Sequence, residues 1–475
     1  MIWDEQEDCT MSVKEEKQLR KREYLLTGNM WEVAVSIALP VVFYNLCNYL
    51  YGIFDMLLVQ SANIGEAADI IVLDQIKNMI SSVGGALAAG GGIIIARKFG
   101  ANELGAAKKY ANTLFTVALA VALITLLFIP FGEPFLKLFK TDSTTIENAM
   151  GYYNVQIVTL VVTTVNSAMI AIEKAKGDTV RLMGLNLVVI VVKLGLTTLF
   201  AFGPFENVTS TWLAAATLIA QLFMLITASI LCFHRDNTLR INIKEWNFDF
   251  REIRVIITLA APIFIGNFLF NFGKVYVNAV ATEQYGKMCV GALGISNTIA
   301  GLLPTITNSF SDSGSVIVSQ NFGNRNVDRI RSVFKVSLSY ITAICLLGTA
   351  VLYPLRAPIA AFFAPKDALY QKIIIAIFSW ECLDVLFLGF LSVANAVFNG
   401  TGKTKMTMVF SLIQLFCLRI PILLILMHIV RMDYTACGVA MFSSNFLSGM
   451  IALLFAVVFL KKLTKYKFEP SHTIS

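Results

Sequence analysis

The chain has 475 residues, of which 56% are hydrophobic and only 15% charged, with a mean hydropathy of +0.70 and a formal net charge of +7. Such a composition excludes an ordinary soluble domain and requires a polytopic membrane protein. The positive balance then reflects loops facing an anionic leaflet and does not point to nucleic acid.

Residues 1–30, which include KEEKQLRKRE, are polar and match neither a cleavable signal peptide nor a transit sequence. They are read as a cytoplasmic tail, so the first span must direct insertion. Twelve apolar runs follow, the first at about 31–60 and the last at about 438–460. Each is long enough to cross ~30 Å of hydrocarbon as a helix, and bilayer physics leaves no other structure for runs of this length. The expected fold is an all-α polytopic membrane protein with twelve transmembrane helices.

In the first span, WEVAVSIALPVVFYNLCNYLYGIFDMLLVQ, the polar residues are not scattered. At ~100° per residue Tyr44, Asn45, Asn48, Tyr51, Gly52 and Asp55 share an arc of roughly 120°, with Phe43, Leu46, Leu50, Ile53, Phe54 and Leu57 opposite. One face suits lipid and the other a polar cavity. An ionisable group within a span costs several kcal/mol unless paired or wetted, which makes Asp55 a functional candidate; the bland alternative is a solvated rim residue.

Lysine and arginine gather in the loops on the N-terminal side of the membrane, which orients both termini toward the cytoplasm. The expected location is the cytoplasmic membrane. The cysteines show no framework: Cys289 and Cys437 alone fall near the outer surface, and nothing in the sequence brings them together. Histidine occurs only at His234, His428 and His472, in the tail or at span ends, so no metal site or other cofactor is expected.

The chain is duplicated. IIIARKFGANE after the second span is matched by VIVSQNFGNRN after the eighth, so that Gly91, Phe99 and Gly100 recur as Gly314, Phe322 and Gly323. Pro40 and Asn45 recur as Pro262 and Asn267; Gly177, Thr179, Met183 and Leu187 recur as Gly402, Thr404, Met408 and Leu412. Six spans per half is an even number, so the halves are parallel repeats about an axis along the membrane normal. This divides the chain into an N-lobe at 31–233, a cytoplasmic linker at 234–253, a C-lobe at 254–462 and a cytoplasmic tail at 463–475. Ile241, Ile243, Trp246, Phe248 and Phe250 alternate with charge in the linker, which reads as an interfacial helix or strand, or equally as a plain loop.

The proline-containing first span ending in IFDMLLV, the IARKFGANELGAAKKYANTLF segment, the IEKAKGDT loop, the SQNFGNRNVDR loop and the FNGTGKTK…LRIPI run together resemble the multidrug and toxic compound extrusion (MATE) transporters. The resemblance covers residues 30 to 462 and favours the DinF-like branch. It implies an antiporter that exports organic, often cationic, solutes in exchange for Na⁺ or H⁺ by alternating access. The family's bent first helix maps onto Pro40, where a lost backbone bond permits a kink. The branch's cation-site aspartate maps onto Asp55. The branch's NxxLD motif in the fifth span is replaced by VVKLGLTTLF, with Lys193 in place of the Asn and Thr197 in place of the second Asp.

Lys193 lies about 15 Å from either boundary, whereas its stem reaches about 6 Å, so it requires an internal partner or must shed its proton. Asp55 is the expected partner, in an N-lobe network with Asn45, Asn48 and Thr197. Tyr44 and Asn186 complete the candidate N-lobe site for cation or substrate. The resident ammonium points to H⁺ rather than Na⁺ coupling; a static ion pair between the two helices is the alternative. In the C-lobe, Lys274, Asp312, Glu381, Asp384 and Arg419 are expected to form a separate set, with Arg419 neutralising Asp384. Asp74 and Lys77 are read as a minor pair in span two.

A small-molecule substrate and the bilayer are the expected partners, and the chain is expected to act as a monomer. The competing function is a flippase for a lipid-linked precursor, disfavoured because the cleft charges are mixed and the spans number twelve. A membrane-embedded transferase is disfavoured by the absence of intramembrane histidine, and no enzymatic activity is expected.

Overall fold

The computed structural model describes the backbone of residues 13–61, 67–131, 133, 143–203, 210–234, 237–242, 249–365 and 367–463, with side chains from residue 20 onward excepting 55–80, 143–149, 210 and 287. A helix α1 (Val13–Thr27) leads into α2 (Met30–Ser61), α3 (Ala67–Gly100), α4 (Leu104–Thr125), α5 (Ser143–Ala175), α6 (Thr179–Phe202) and α7 (Ser210–Phe233). The second half comprises α8 (Phe250–Ala300), α9 (Leu302–Gly323), α10 (Val327–Leu352), the short α11 (Arg356–Phe363), α12 (Ala368–Gly400), α13 (Thr404–Leu412), α14 (Ile420–Leu424) and α15 (Thr435–Leu463). Among the described residues ten helices are each long and apolar enough to cross a bilayer, and an eleventh crossing is a bent helix pair. With α3, 34 residues long, these make the twelve crossings that the apolar runs predict.

The seventh and eighth spans are not simple straight helices. Helix α8 runs on through the outer end of the seventh span and turns at Gly286, where φ is +81°. A side chain would be strained in that conformation, so glycine permits the turn. The eighth span is Met288–Ala300 followed by α9, bent by 49°. Between α13 and α14 the helix widens into a π-turn at Ile413–Arg419. Pro421 just beyond has no N–H to offer, and a looser turn absorbs the ring's clash with the preceding carbonyls.

The duplication is visible in both turns and packing. In the first half Ala101, Asn102 and Glu103 donate backbone bonds to Arg97, Phe99 and Lys98; in the second Asn324, Arg325 and Asn326 donate to Gln320, Phe322 and Asn321. Asn102 and Arg325 take matching positive φ values of 65° and 58°, as do Gly177 and Gly402 at 87° and 76°. Within the first lobe α5 packs between α3 and α7, and α2 lies on α6. Within the second, α12 packs between α9 and α15, and α8 lies on α13. The lobes meet reciprocally, α2 on α9 and α8 on α3.

At one end this junction is tight. A Cβ on Gly100 would strike the backbone of Gln320, and one on Gly323 the backbone of Arg97. Gly323→Val should therefore cost roughly 1–3 kcal/mol by overpacking and lower the thermal midpoint in detergent; an unchanged midpoint would show that the lobes do not close this tightly.

The segment read as a cytoplasmic tail carries a helix, α1, that straps the same end. Arg22 of α1 donates to the carbonyls of Phe99 (2.9 Å) and Gly100 (3.0 Å), and Leu25 is buried. From the other lobe Arg329 of α10 donates to the carbonyls of Leu25 (3.0 Å) and Gly28 (2.9 Å). Lys21 pairs with Asp178 at 2.7 Å. Burial alone would raise the Asp178 carboxyl, but bonding to Lys21, with Arg181 and Lys176 nearby, brings it below its usual value. The stabilisation is thus present above the ordinary carboxylate pKa and is lost only as pH falls through the lowered one.

The linker is also more than a loop. Leu239 and Ile241 are buried against the first lobe, and Ile241 donates to the carbonyl of Cys232 at 3.0 Å. Asn237 joins a buried ion pair, Glu173 and Lys176, accepting from Lys176 Nζ at 2.7 Å and donating to Glu173 Oε1 at 2.8 Å. Phe250 opens α8, while Ile243, Trp246 and Phe248 lie outside the described residues.

Candidate functional site

The larger of the two cavities, about 550 Å³, is lined by the second lobe apart from Tyr49 of α2, which reaches it from the first. Helix α8 contributes Lys274, α12 contributes Glu381 and Asp384, and the π-turn contributes Arg419. Glu381 and Asp384 share a face because they stand three apart on one helix. Arg419 does not grip Asp384 directly, as the sequence suggests. Its Nη2 donates to Asn445 Oδ1 at 2.6 Å and its Nε to Ser444 Oγ at 3.1 Å, while Asn445 Nδ2 donates to Asp384 Oδ2 at 2.7 Å. An asparagine therefore stands between cation and anion, held also by Gln414 at 2.7 Å.

Glu381 is different. It is 2% exposed, and neither carboxylate oxygen has a hydrogen-bond partner. Lys274 faces the same cavity with its ammonium 4.9 Å from the ring of Phe270, and Arg419 approaches that ring at 5.7 Å. An unsatisfied buried carboxylate is costly when charged, so the arrangement favours binding of a proton or a cation at Glu381.

Asp312 does not belong to this set. It points into a second cavity of about 240 Å³ between the lobes and pairs at 3.3 Å with Lys174 of α5, while Tyr44 stands close enough to feel both charges. Lys174 was hidden in sequence because IEKAKGDT reads as a loop. The usable signal was its position three and seven residues after Ala171 and Ser167, on one small-residue face of α5. Asn45 likewise leaves the expected N-lobe network: its amide donates to Ser309 of α9 at 2.8 Å, across the junction. Asn48 is exposed.

In the first lobe the fifth-span departure takes a definite shape. Lys193 lies 4.3 Å from the centroid of the Tyr51 ring, and the Tyr51 hydroxyl is 2.9 Å from Thr197 Oγ1, both residues being buried. The side chains of Asp55, Asp74 and Lys77 lie outside the described residues. Asn186 bonds its own helix at the carbonyl of Leu182, 2.8 Å away. Helix α2 runs unbroken through Pro40. Phe43, Leu50 and Phe54 are exposed, on the side that the helical pattern assigns to lipid.

Comparison with known families settles the lineage. The MatE family model matches residues 40–199 and again 262–425. The chain belongs to the MatE family. The two matches fall one on each lobe, in keeping with the duplication. A probable multidrug resistance protein, YoeA of Bacillus subtilis, is 21% identical over 203 residues, 42% of either chain. The MatE fold is matched over nearly the whole length by an outward-facing multidrug resistance MATE transporter of the MOP superfamily, with a TM-score of 0.88, 17% identity and coverage of 93% of this chain and 98% of that one. A MOP-superfamily transporter from Pyrococcus furiosus gives the same TM-score at 16% identity and the same coverage. This MatE chain is thus a multi-pass membrane protein with the fold of these transporters.

Proposed function

We propose that the protein is a proton-driven antiporter that exports small organic, cationic or amphiphilic compounds across the cytoplasmic membrane by alternating access. Glu381 carries the reading: a buried carboxylate without a hydrogen-bond partner, facing a cavity large enough for a small molecule, can trade a proton for a cationic group. Lys193 adds support, because an ammonium stacked on Tyr51 stands where the family resemblance puts a metal-ion ligand. Two lobes that meet reciprocally provide the moving parts, and a kink at Pro40 would let α2 follow. With α1 on the cytoplasmic side, the strapped end is the inner gate.

Proteoliposome flux tests this. A pH gradient should drive uptake of a lipophilic cation such as tetraphenylphosphonium, Na⁺ gradients should leave it unchanged, and Glu381→Gln should abolish it. Full activity of Glu381→Gln would remove this carboxylate from the mechanism.

A further inference from the structure

The half-helix Met288–Ala300 is bounded by two breaks, the turn at Gly286 and the 49° bend into α9. Pro304 explains the bend: it offers no N–H to the carbonyl of Ala300, and its ring presses that carbonyl aside. Through Leu293, Gly294, Asn297 and Ala300 the half-helix walls the Glu381 cavity. Among the described residues that line this cavity, Tyr49 alone comes from the first lobe, and it meets the half-helix at the bend. Its hydroxyl donates to the carbonyl of Thr298 at 2.7 Å and lies 3.4 Å from that of Asn297. Gly301 makes room for it, since a Cβ there would strike the same hydroxyl.

We infer that Tyr49 is a latch by which α2 controls the Glu381 cavity. While its hydroxyl holds Thr298, the half-helix stays in place as a wall; release frees it to swing on Gly286 and Gly301. Pro40 supplies the release. It stands nine residues before Tyr49, or ~13 Å along the helix, after a segment whose Val33, Ala34, Ile37 and Ala38 share a buried core with Phe310 and Val318 of the second lobe. With that segment fixed, a bend of about 20° at the proline carries Tyr49 by ~5 Å, more than a hydrogen bond can stretch. Helix α2 runs unbroken here, and the latch is made. A change of bend in one lobe is thereby passed to a cavity wall in the other.

The latch regulates the site proposed above and rests on that reading only for its effect on flux. Its test is the alkylation rate of native Cys437, a buried residue that lines the same cavity, measured with N-ethylmaleimide and peptide mass mapping on the full chain in nanodiscs. Tyr49→Phe keeps the ring and loses the donor, and should speed alkylation roughly 2- to 10-fold, the range expected for one hydrogen bond. Gly301→Ala, whose methyl displaces the hydroxyl, should do the same. Pro40→Ala should slow alkylation below the rate of the unmodified chain, and Pro40→Ala with Tyr49→Phe should restore the fast rate, because the latch acts after the bend. A residue that merely packs has no such order of effects. An unchanged rate in Tyr49→Phe, or a double variant as slow as Pro40→Ala, would overturn the latch. The expected order of rates beside full transport by Glu381→Gln would keep the latch and remove the exchange site.

Discussion

Lys176→Met should destabilise the protein by roughly 3–5 kcal/mol, the cost of leaving a buried anion without its cation. Lys176 is 1% exposed and Glu173 2%, and they bond at 2.7 Å. Asn237 cannot replace the ammonium. Its amide already donates to both Glu173 and the carbonyl of Leu231, and a neutral donor offsets little of a carboxylate's desolvation. Glu173→Gln combined with Lys176→Met should recover much of the loss, since it removes both charges together. Thermal unfolding of the two single variants and the double gives the coupling energy; strictly additive losses would show that the pair does not act as a unit.

Lys193→Ala should abolish flux driven by a pH gradient. The argument is electrostatic: an ammonium within a span needs a counter-anion, so a proton or organic cation arriving at the carboxylate expected beside it competes directly with Lys193. Thr197 and Tyr51 keep their contact in the variant, so helix packing survives while the titratable group is gone. Lys193→Asn with Thr197→Asp rebuilds the pattern of the resembled branch, and Na⁺ dependence should then emerge. Stimulation of the unmodified protein by Na⁺ would contradict the whole scheme.

Span number, duplication and the lipid-facing side of α2 were legible in the sequence because each rests on a repeating pattern: hydrophobicity over about twenty residues, matched motifs in two halves, a 100° periodicity. Which polar residues touch was not legible. Asn45 and Lys193 lie on adjacent spans of one lobe's polar lining, yet Asn45 bonds Ser309 across the junction, because α2 packs against α9 as well as α6. Asp312 pairs with Lys174 for the same reason, since α9 packs on α2 and α3 of the first lobe as well as on α12 of its own. Asn445 went unremarked because an amide in an apolar helix carries no periodic signal; only the approach of α12 and the π-turn makes it the bridge between Asp384 and Arg419. Periodicity reports how a helix faces its surroundings, and partners are chosen by tertiary approach.

The α1 strap also bears on how the molecule is put together. Its carbonyls at Leu25 and Gly28 are received by an arginine 304 and 301 residues further along. At a synthesis rate of about 5–20 residues per second, this second-lobe clasp follows α1 by roughly 15–60 s, well after its first-lobe partners Phe99, Gly100 and Asp178. During that interval a charge-rich arm is held from the first lobe alone, with its Leu25 and Gly28 carbonyls open to water. Completion of its docking is therefore a late event that depends on correct insertion of α10, and a chain with a misthreaded second lobe keeps the arm half held. The state of this arm thus becomes the mark by which a finished molecule differs from an abandoned one.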